Sequence, residues 1–135
     1  MTHFALDTSV AVPLLLRRHA AHHAVLAAVS GNVISMTGHS QAETYSVLTR
    51  LPGDARVDLL DAARLLSTGF AKLLVMDPVT LTNLPSLLSS HGVAGGAVYD
   101  AMVALAVKGT RAKLLTRDAR AAATYAALEV PFVLA

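Results

Sequence analysis

The sequence predicts an α/β fold, a three-layer α/β/α sandwich around a mainly parallel sheet, in one domain spanning residues 1–135. Three observations carry that reading. Short β-rich runs alternate with longer, Ala-rich segments along the whole chain. Hydrophobic residues make up 54% and charged residues 15%, so a chain of this length can bury a substantial core. No repeat, low-complexity tract or linker divides it.

His3–Leu6 is a short apolar run ending at Asp7, the mark of a buried strand. Thr8 or Ser9 can cap a helix over Val10–Arg17, with Pro13 tolerable in a first turn. Ala20–Val29 is a second helix, stopped by Ser30-Gly31-Asn32. Val33–Met36 is a short strand, and His39–Leu51 a helix broken by Pro52-Gly53. Asp54–Leu66 has near-helical apolar spacing and stops at Thr68-Gly69. Leu73–Met76 is a third strand, closed by Asp77-Pro78. Val79–His91 is a weaker helix kinked around Asn83 and Pro85, followed by a loop with Gly92, Gly95 and Gly96. Ala97–Lys108 is the most apolar helix and belongs at the centre. Lys113–Thr116 is a strand, Asp118–Leu128 an Ala-rich helix and Val130–Leu134 a last short strand. Right-handed crossovers put the carboxyl ends of parallel strands on one edge, where open α/β sheets bind ligands. Asp7 and Asp118 both fall there.

Composition narrows the function. No cysteine is present, which removes disulfides, thiolate zinc sites and cysteine nucleophiles. No apolar run reaches the length of a membrane span, and the first residues lack the pattern of a signal peptide. A cytoplasmic location is expected. The net charge of +2 permits a polyanionic partner without requiring one. Arg outnumbers Lys, and Arg111, Lys113, Arg117 and Arg120 cluster around Asp118, where guanidinium groups suit phosphate.

The chain has only nine acids. Four of them, Asp7, Glu43, Asp100 and Asp118, stand at the starts of segments that are otherwise apolar or Ala-rich. Three have capping explanations. Asp7 and Asp118 precede helices, and Ser40-Gln41-Ala42-Glu43 has the spacing of a capping box. Asp100 has none: it lies a turn inside the most apolar helix, among Val98, Tyr99, Ala101, Met102 and Val103. A carboxylate in such a place needs a partner. Oxygen ligands without His or Cys suit Mg2+ or Mn2+, and the matching chemistry is phosphoryl transfer or phosphodiester hydrolysis.

The ordered set resembles PIN-domain ribonucleases, most closely the VapC-like toxins of toxin–antitoxin pairs. The matching pieces are Leu6-Asp7-Thr8-Ser9, Glu43 with Val47-Leu48-Thr49-Arg50-Leu51 after it, and Tyr99-Asp100-Ala101. The last is Leu115-Thr116-Arg117-Asp118-Ala119-Arg120, with Tyr125 and Leu128-Glu129-Val130 beyond it. The resemblance implies a metal-dependent endoribonuclease that uses Mg2+ or Mn2+. Asp7 and Asp100 become the principal ligands, Glu43 and Asp118 complete the acidic quartet, and Thr116 is a supporting hydroxyl. It also implies a cognate antitoxin, a homodimer, and an RNA substrate such as transfer or ribosomal RNA.

Arg117 and Tyr99 are candidate substrate contacts, whereas Tyr45 and Tyr125 are expected in or near the core. His19, His22 and His23 are read as a polar helix face. Two other functions compete. One is an α/β phosphatase or phosphotransferase with Asp7 as nucleophile, although Asp7-Thr8-Ser9 lacks the Asp-x-Asp such an enzyme wants. The other is a catalytically inactive binding module on the same fold.

Overall fold

A computed structural model describes all residues, 1–135. The chain forms β1 (His3–Leu6), α1 (Thr8–Leu15), α2 (His22–Val29), β2 (Val33–Met36) and α3 (Gly38–Thr49). A 3-10 turn at Gly53–Ala55 leads into α4 (Leu59–Ser67), α5 (Pro78–Thr82), α6 (Leu84–Ser90) and α7 (Ala97–Val107). The chain ends with β3 (Lys113–Thr116), α8 (Ala119–Ala127) and β4 (Phe132–Leu134).

All four strands are parallel, in the order β2-β1-β3-β4. The chain steps outward from β1 to β2, then returns to the other side of β1 to lay down β3 and β4. The topological switch point therefore lies between β1 and β3, and a crevice opens at their carboxyl ends. Alternation along the strands divides the core in two. Ala5 and Leu114 face one way, into a cluster with Val103, Ala104 and Val107 from α7, Tyr125 from α8 and Leu128 just beyond it. Phe4, Leu6 and Leu115 face the other way and meet Val10, Val25 and Val29 from α1 and α2. Helices thus cover both faces, giving the expected three layers.

Several local expectations need correction. Leu73–Met76 is not a strand: Leu74 alone bridges to Thr37, through the Leu74 N–H to the Met36 carbonyl at 2.9 Å. Leu73 packs on one core cluster and Leu74 and Met76 on the other, but Val75 is exposed and Pro78 opens α5 directly afterwards, so the bridge does not lengthen into a strand. Asp7, not Thr8 or Ser9, caps α1. Pro13 is consequently the sixth residue of the helix and not in its first turn, and α1 ends at Leu15, short of the expected Arg17. The segment after Pro52 becomes helical only at Leu59, where Asp58 supplies the cap. The kink expected between Val79 and His91 is a full break at Asn83, which separates α5 from α6.

Candidate active site

The first half of the site is carried by β1 and β3. Asp7 is only 5% exposed and accepts from the Ser9 backbone N–H at 3.1 Å and from the Ser9 hydroxyl, both at Oδ1. Its Oδ2 accepts from the Tyr125 hydroxyl at 2.8 Å. Burial, with the Asp7 charge beside it, pushes the Tyr125 phenol far above its usual range and keeps it a donor. Thr116, fully buried at the end of β3, lies 3.3 Å from the Ser9 hydroxyl and accepts from the Asp118 N–H at 3.0 Å. The Arg117 N–H donates to the Ser9 Oγ at 2.8 Å. Asp118 caps α8 through Oδ1, which the Arg120 N–H reaches at 2.9 Å. Its Oδ2 makes no protein hydrogen bond. Ser9 is therefore the knot between the two strand ends.

The second half is carried by α3 and α7. Thr37 and Ser40 form the capping box of α3, with the Ser40 N–H 3.1 Å from the Thr37 hydroxyl. The expected box between Ser40 and Glu43 is thus absent. Ser40 is occupied by Thr37, and Glu43 sits in the second turn with a half-exposed side chain. The His39 Nε2 lies 3.5 Å from the Glu43 carboxylate without hydrogen-bond geometry, and this buried nitrogen has no hydrogen-bond partner. Asp100 lies in the first turn of α7, where the helix dipole favours a negative charge. Its carboxyl is nonetheless pushed up to about 6. Burial is the largest cause, followed by the charges of Asp118, Asp7 and Glu43, and His39 opposes them weakly.

The two halves face one small cleft of about 60 Å3, lined by Asp7, Ser9, His39, Glu43, Asp100 and Asp118 among others. Tyr99 lines it as well, whereas Thr116 lies beneath it and the exposed side chain of Arg117 stays outside. No three carboxylate or imidazole groups converge closely enough to grip an ion unaided. A cage of that kind suits zinc or calcium; Mg2+ commonly takes one or two carboxylates and keeps several waters. The donor set fits such an ion: all its charged groups are oxygen acids, no Lys or Arg neutralises them, and Asp100 bears the repulsion that results. Asp7 still has an acceptor position on Oδ2, since an ionised carboxylate offers about four and three are used. The same burial argues against Asp7 as a covalent nucleophile, because attack in line on phosphorus needs an open approach.

The model of the PIN domain matches residues 4–127. The chain belongs to the PIN-domain family. This PIN domain is VapC-like: it is 53% identical over 131 residues to Ribonuclease VapC27 of Mycobacterium tuberculosis, covering 97% of this chain and 96% of that protein. Among solved structures it is similar to VapC20 of Mycobacterium tuberculosis, a Sarcin-Ricin loop cleaving toxin (TM-score 0.66, 20% identity, 89% of this chain and 93% of that one). It is also similar to VapBC2 of Rickettsia felis bound to a DNA fragment from their promoter (TM-score 0.66, 13% identity, 99% of each chain). At those identities the two structures speak for the fold. No helix of this PIN domain is long and apolar enough to cross a membrane.

Three features around the acids are not evident in the sequence: the place of Ser9, that of His39 and the polar role of Tyr125. Helical spacing holds a signal for two of them. His39 and Glu43 are four apart on α3, and Tyr125 follows Asp118 by seven residues, two turns along one face of α8. Tyr125 is buried as expected, but Tyr45 is 36% exposed and lies outside the core. His22 hydrogen-bonds the Pro13 carbonyl and His19 accepts from the Ala21 N–H, so the two brace the turn between α1 and α2.

Proposed function

We propose that this chain is a single-domain endoribonuclease toxin that hydrolyses RNA phosphodiester bonds with Mg2+ or Mn2+, and that a cognate antitoxin holds it inactive. The observation that carries the reading is the meeting of Asp7, Glu43, Asp100 and Asp118 at one cleft over the switch point, with no Lys or Arg among them. The activity named for VapC27 supports it at high identity over nearly the whole chain. A homodimer and a structured RNA substrate belong to the same proposal.

Asp7 and Asp100 would hold the ion, with Glu43 and Asp118 completing its surroundings partly through water. When bound, the ion supplies a Lewis acid for the phosphate oxygens and lowers the pKa of a water. The chain's own groups do the rest. Ser9 and Tyr125 hold the Asp7 carboxylate in one orientation, so no reorganisation is needed when substrate arrives. Thr116 fixes the turn that presents Asp118. Glu43, half exposed, can orient a water for attack on phosphorus, and the bond to the leaving ribose oxygen then breaks.

The test is cleavage-site mapping on total RNA with Mg2+ or Mn2+, wild type and Asp7→Asn side by side. Discrete cuts by wild type that vanish in Asp7→Asn are expected. Cuts that persist in Asp7→Asn overturn the site, and a wild type that cuts nothing overturns the activity.

A further inference from the structure

We infer that His39 and Tyr99 form a preassembled stacking platform for one nucleobase of the RNA next to the scissile phosphate, with Tyr99 as the contact and His39 as its positioning residue. The inference rests on the proposed ribonuclease reading of the cleft and adds how that cleft holds its substrate.

The two rings lie nearly parallel, 11° apart, with centroids separated by 5.3 Å. That is an offset stack, a favoured arrangement of aromatic pairs. The pair joins α3 to α7 across the mouth of the cleft, where both residues line the wall beside Glu43 and Asp100. Tyr99 is 55% exposed, the most exposed of the tyrosines and phenylalanines, unlike Tyr125, which is wholly buried. Only 4% of the chain is aromatic, and among its tyrosines and phenylalanines Tyr99 and Tyr125 alone line the acidic cleft. The His39 ring is held from below. It is mostly buried, four residues before Glu43 on the same helix face, with Nε2 3.5 Å from that carboxylate and no hydrogen-bond partner of its own.

An exposed tyrosine normally samples several rotamers, and binding a base would then cost the entropy of fixing it. Here the stack on His39 fixes the ring before any ligand arrives, which raises affinity by removing that cost. Stacking suits a site that must accept RNA, because every base has a π-face and unpaired RNA bases are commonly taken up on aromatic side chains. The surrounding carboxylates repel a phosphate when no cation is bound, so a contact indifferent to backbone charge is what the cleft otherwise lacks. A partner protein could also cover an exposed tyrosine, but the position of this one, adjacent in sequence to Asp100, favours the substrate.

Two readouts test the platform. In the first, a short single-stranded RNA carrying 2-aminopurine at one position is mixed rapidly with the full-length protein and Mg2+. Wild type and Tyr99→Phe are expected to quench the probe, whereas Tyr99→Ala should not. In the second, steady-state cleavage by Tyr99→Ala should show KM raised about tenfold with kcat within about twofold, as expected for loss of one base stack. His39→Ala should raise KM by less, and His39→Phe, which keeps a ring but no imidazole, should restore it. Quenching is read whether or not the RNA is cut, so the platform stands or falls apart from the nuclease assignment. Equal quenching by wild type and Tyr99→Ala, or an unchanged KM in an active Tyr99→Ala, overturns the proposal. So does a His39→Phe variant as impaired as His39→Ala, since His39 would then act through its imidazole nitrogens and not through the stacked ring.

Discussion

The strand-borne and helix-borne halves of the acidic cleft are built on opposite principles. Asp7 is buried, and its carboxylate is bound by Ser9 and Tyr125. Asp118 caps a helix, and Thr116 and Ser9 tie the two strand ends together. Across the cleft, Asp100 and Glu43 have no hydrogen-bond donor from the protein, and the Asp100 carboxyl is raised to about 6. The first half draws its order from the protein's own donors. The second, on the function proposed above, is completed by a cation. A site divided this way keeps its geometry when empty yet retains a repulsion that a divalent ion can relieve.

The largest expected effect should fall equally on the two halves. Asp7→Asn and Asp100→Asn should each lower RNA cleavage by roughly 10^3-fold, the scale of losing a preorganised charge at a reacting centre. Single-turnover cleavage measures it, and a variant with wild-type rate would remove its residue from the site.

Stability should then separate the halves in sign. Tyr125→Phe and Asp7→Asn each disturb a charge-assisted hydrogen bond in the core, worth about 1.5–3 kcal/mol. Both should lower the melting temperature of the metal-free protein at pH 7.5 by several degrees. Asp100→Asn should instead raise it, because it removes a carboxylate that burial and three like charges disfavour. Asp100 is partly exposed, so solvent screening reduces the gain to roughly 1 kcal/mol or about 3 °C. A loss of stability in Asp100→Asn would show that the helix-borne half is as well satisfied as the strand-borne half.

The gain must also depend on pH. The Asp100 carboxyl sits at about 6 in the fold against an ordinary 3.8, so between those values the folded protein holds more protons than the unfolded chain. The contribution of protonated Asp100 to stability is present below about pH 4 and is lost as pH rises through 6. The advantage of Asp100→Asn over wild type should therefore appear between about pH 4 and 7 and fade at about pH 4. Thermal melts across that range check it, and an advantage independent of pH would rule out burial and like-charge repulsion of the carboxylate as its cause. The smallest effect distinguishes the neighbours. Asp118→Asn should lower the Asp100 pKa, followed by NMR titration, more than Glu43→Gln does, since Asp118 is the stronger of the two repulsions.

The strand-borne half is also the more legible in sequence. A short apolar run ending in Asp, and another ending in Thr-Arg-Asp before an Ala-rich helix, place two acids at strand ends from local pattern alone. Asp100 can be singled out because a charge inside so apolar a helix has no local explanation. Glu43 is obscured by Ser40, whose spacing imitates a capping box. Only the fold shows that Thr37 takes that role and leaves the acid free. Ser9 and Tyr125 cannot be joined to Asp7 from sequence, because their contacts depend on the β1–β3 pairing and on which face of α8 meets it. The run Leu73–Met76 misleads for a related reason: strand propensity is present, but it meets only the end of β2, at Leu74, and α5 begins at Pro78 before a ladder can form.

The claim that a divalent ion completes the helix-borne half is tested most directly by metal-dependent melting. Mg2+ or Mn2+ added to wild type should raise its melting temperature, since an ion that binds only the folded state stabilises it by mass action. The same addition to Asp100→Asn should raise it markedly less. Equal shifts in the two proteins would mean that no cation is held at Asp100 and that the cleft is not divided in this way.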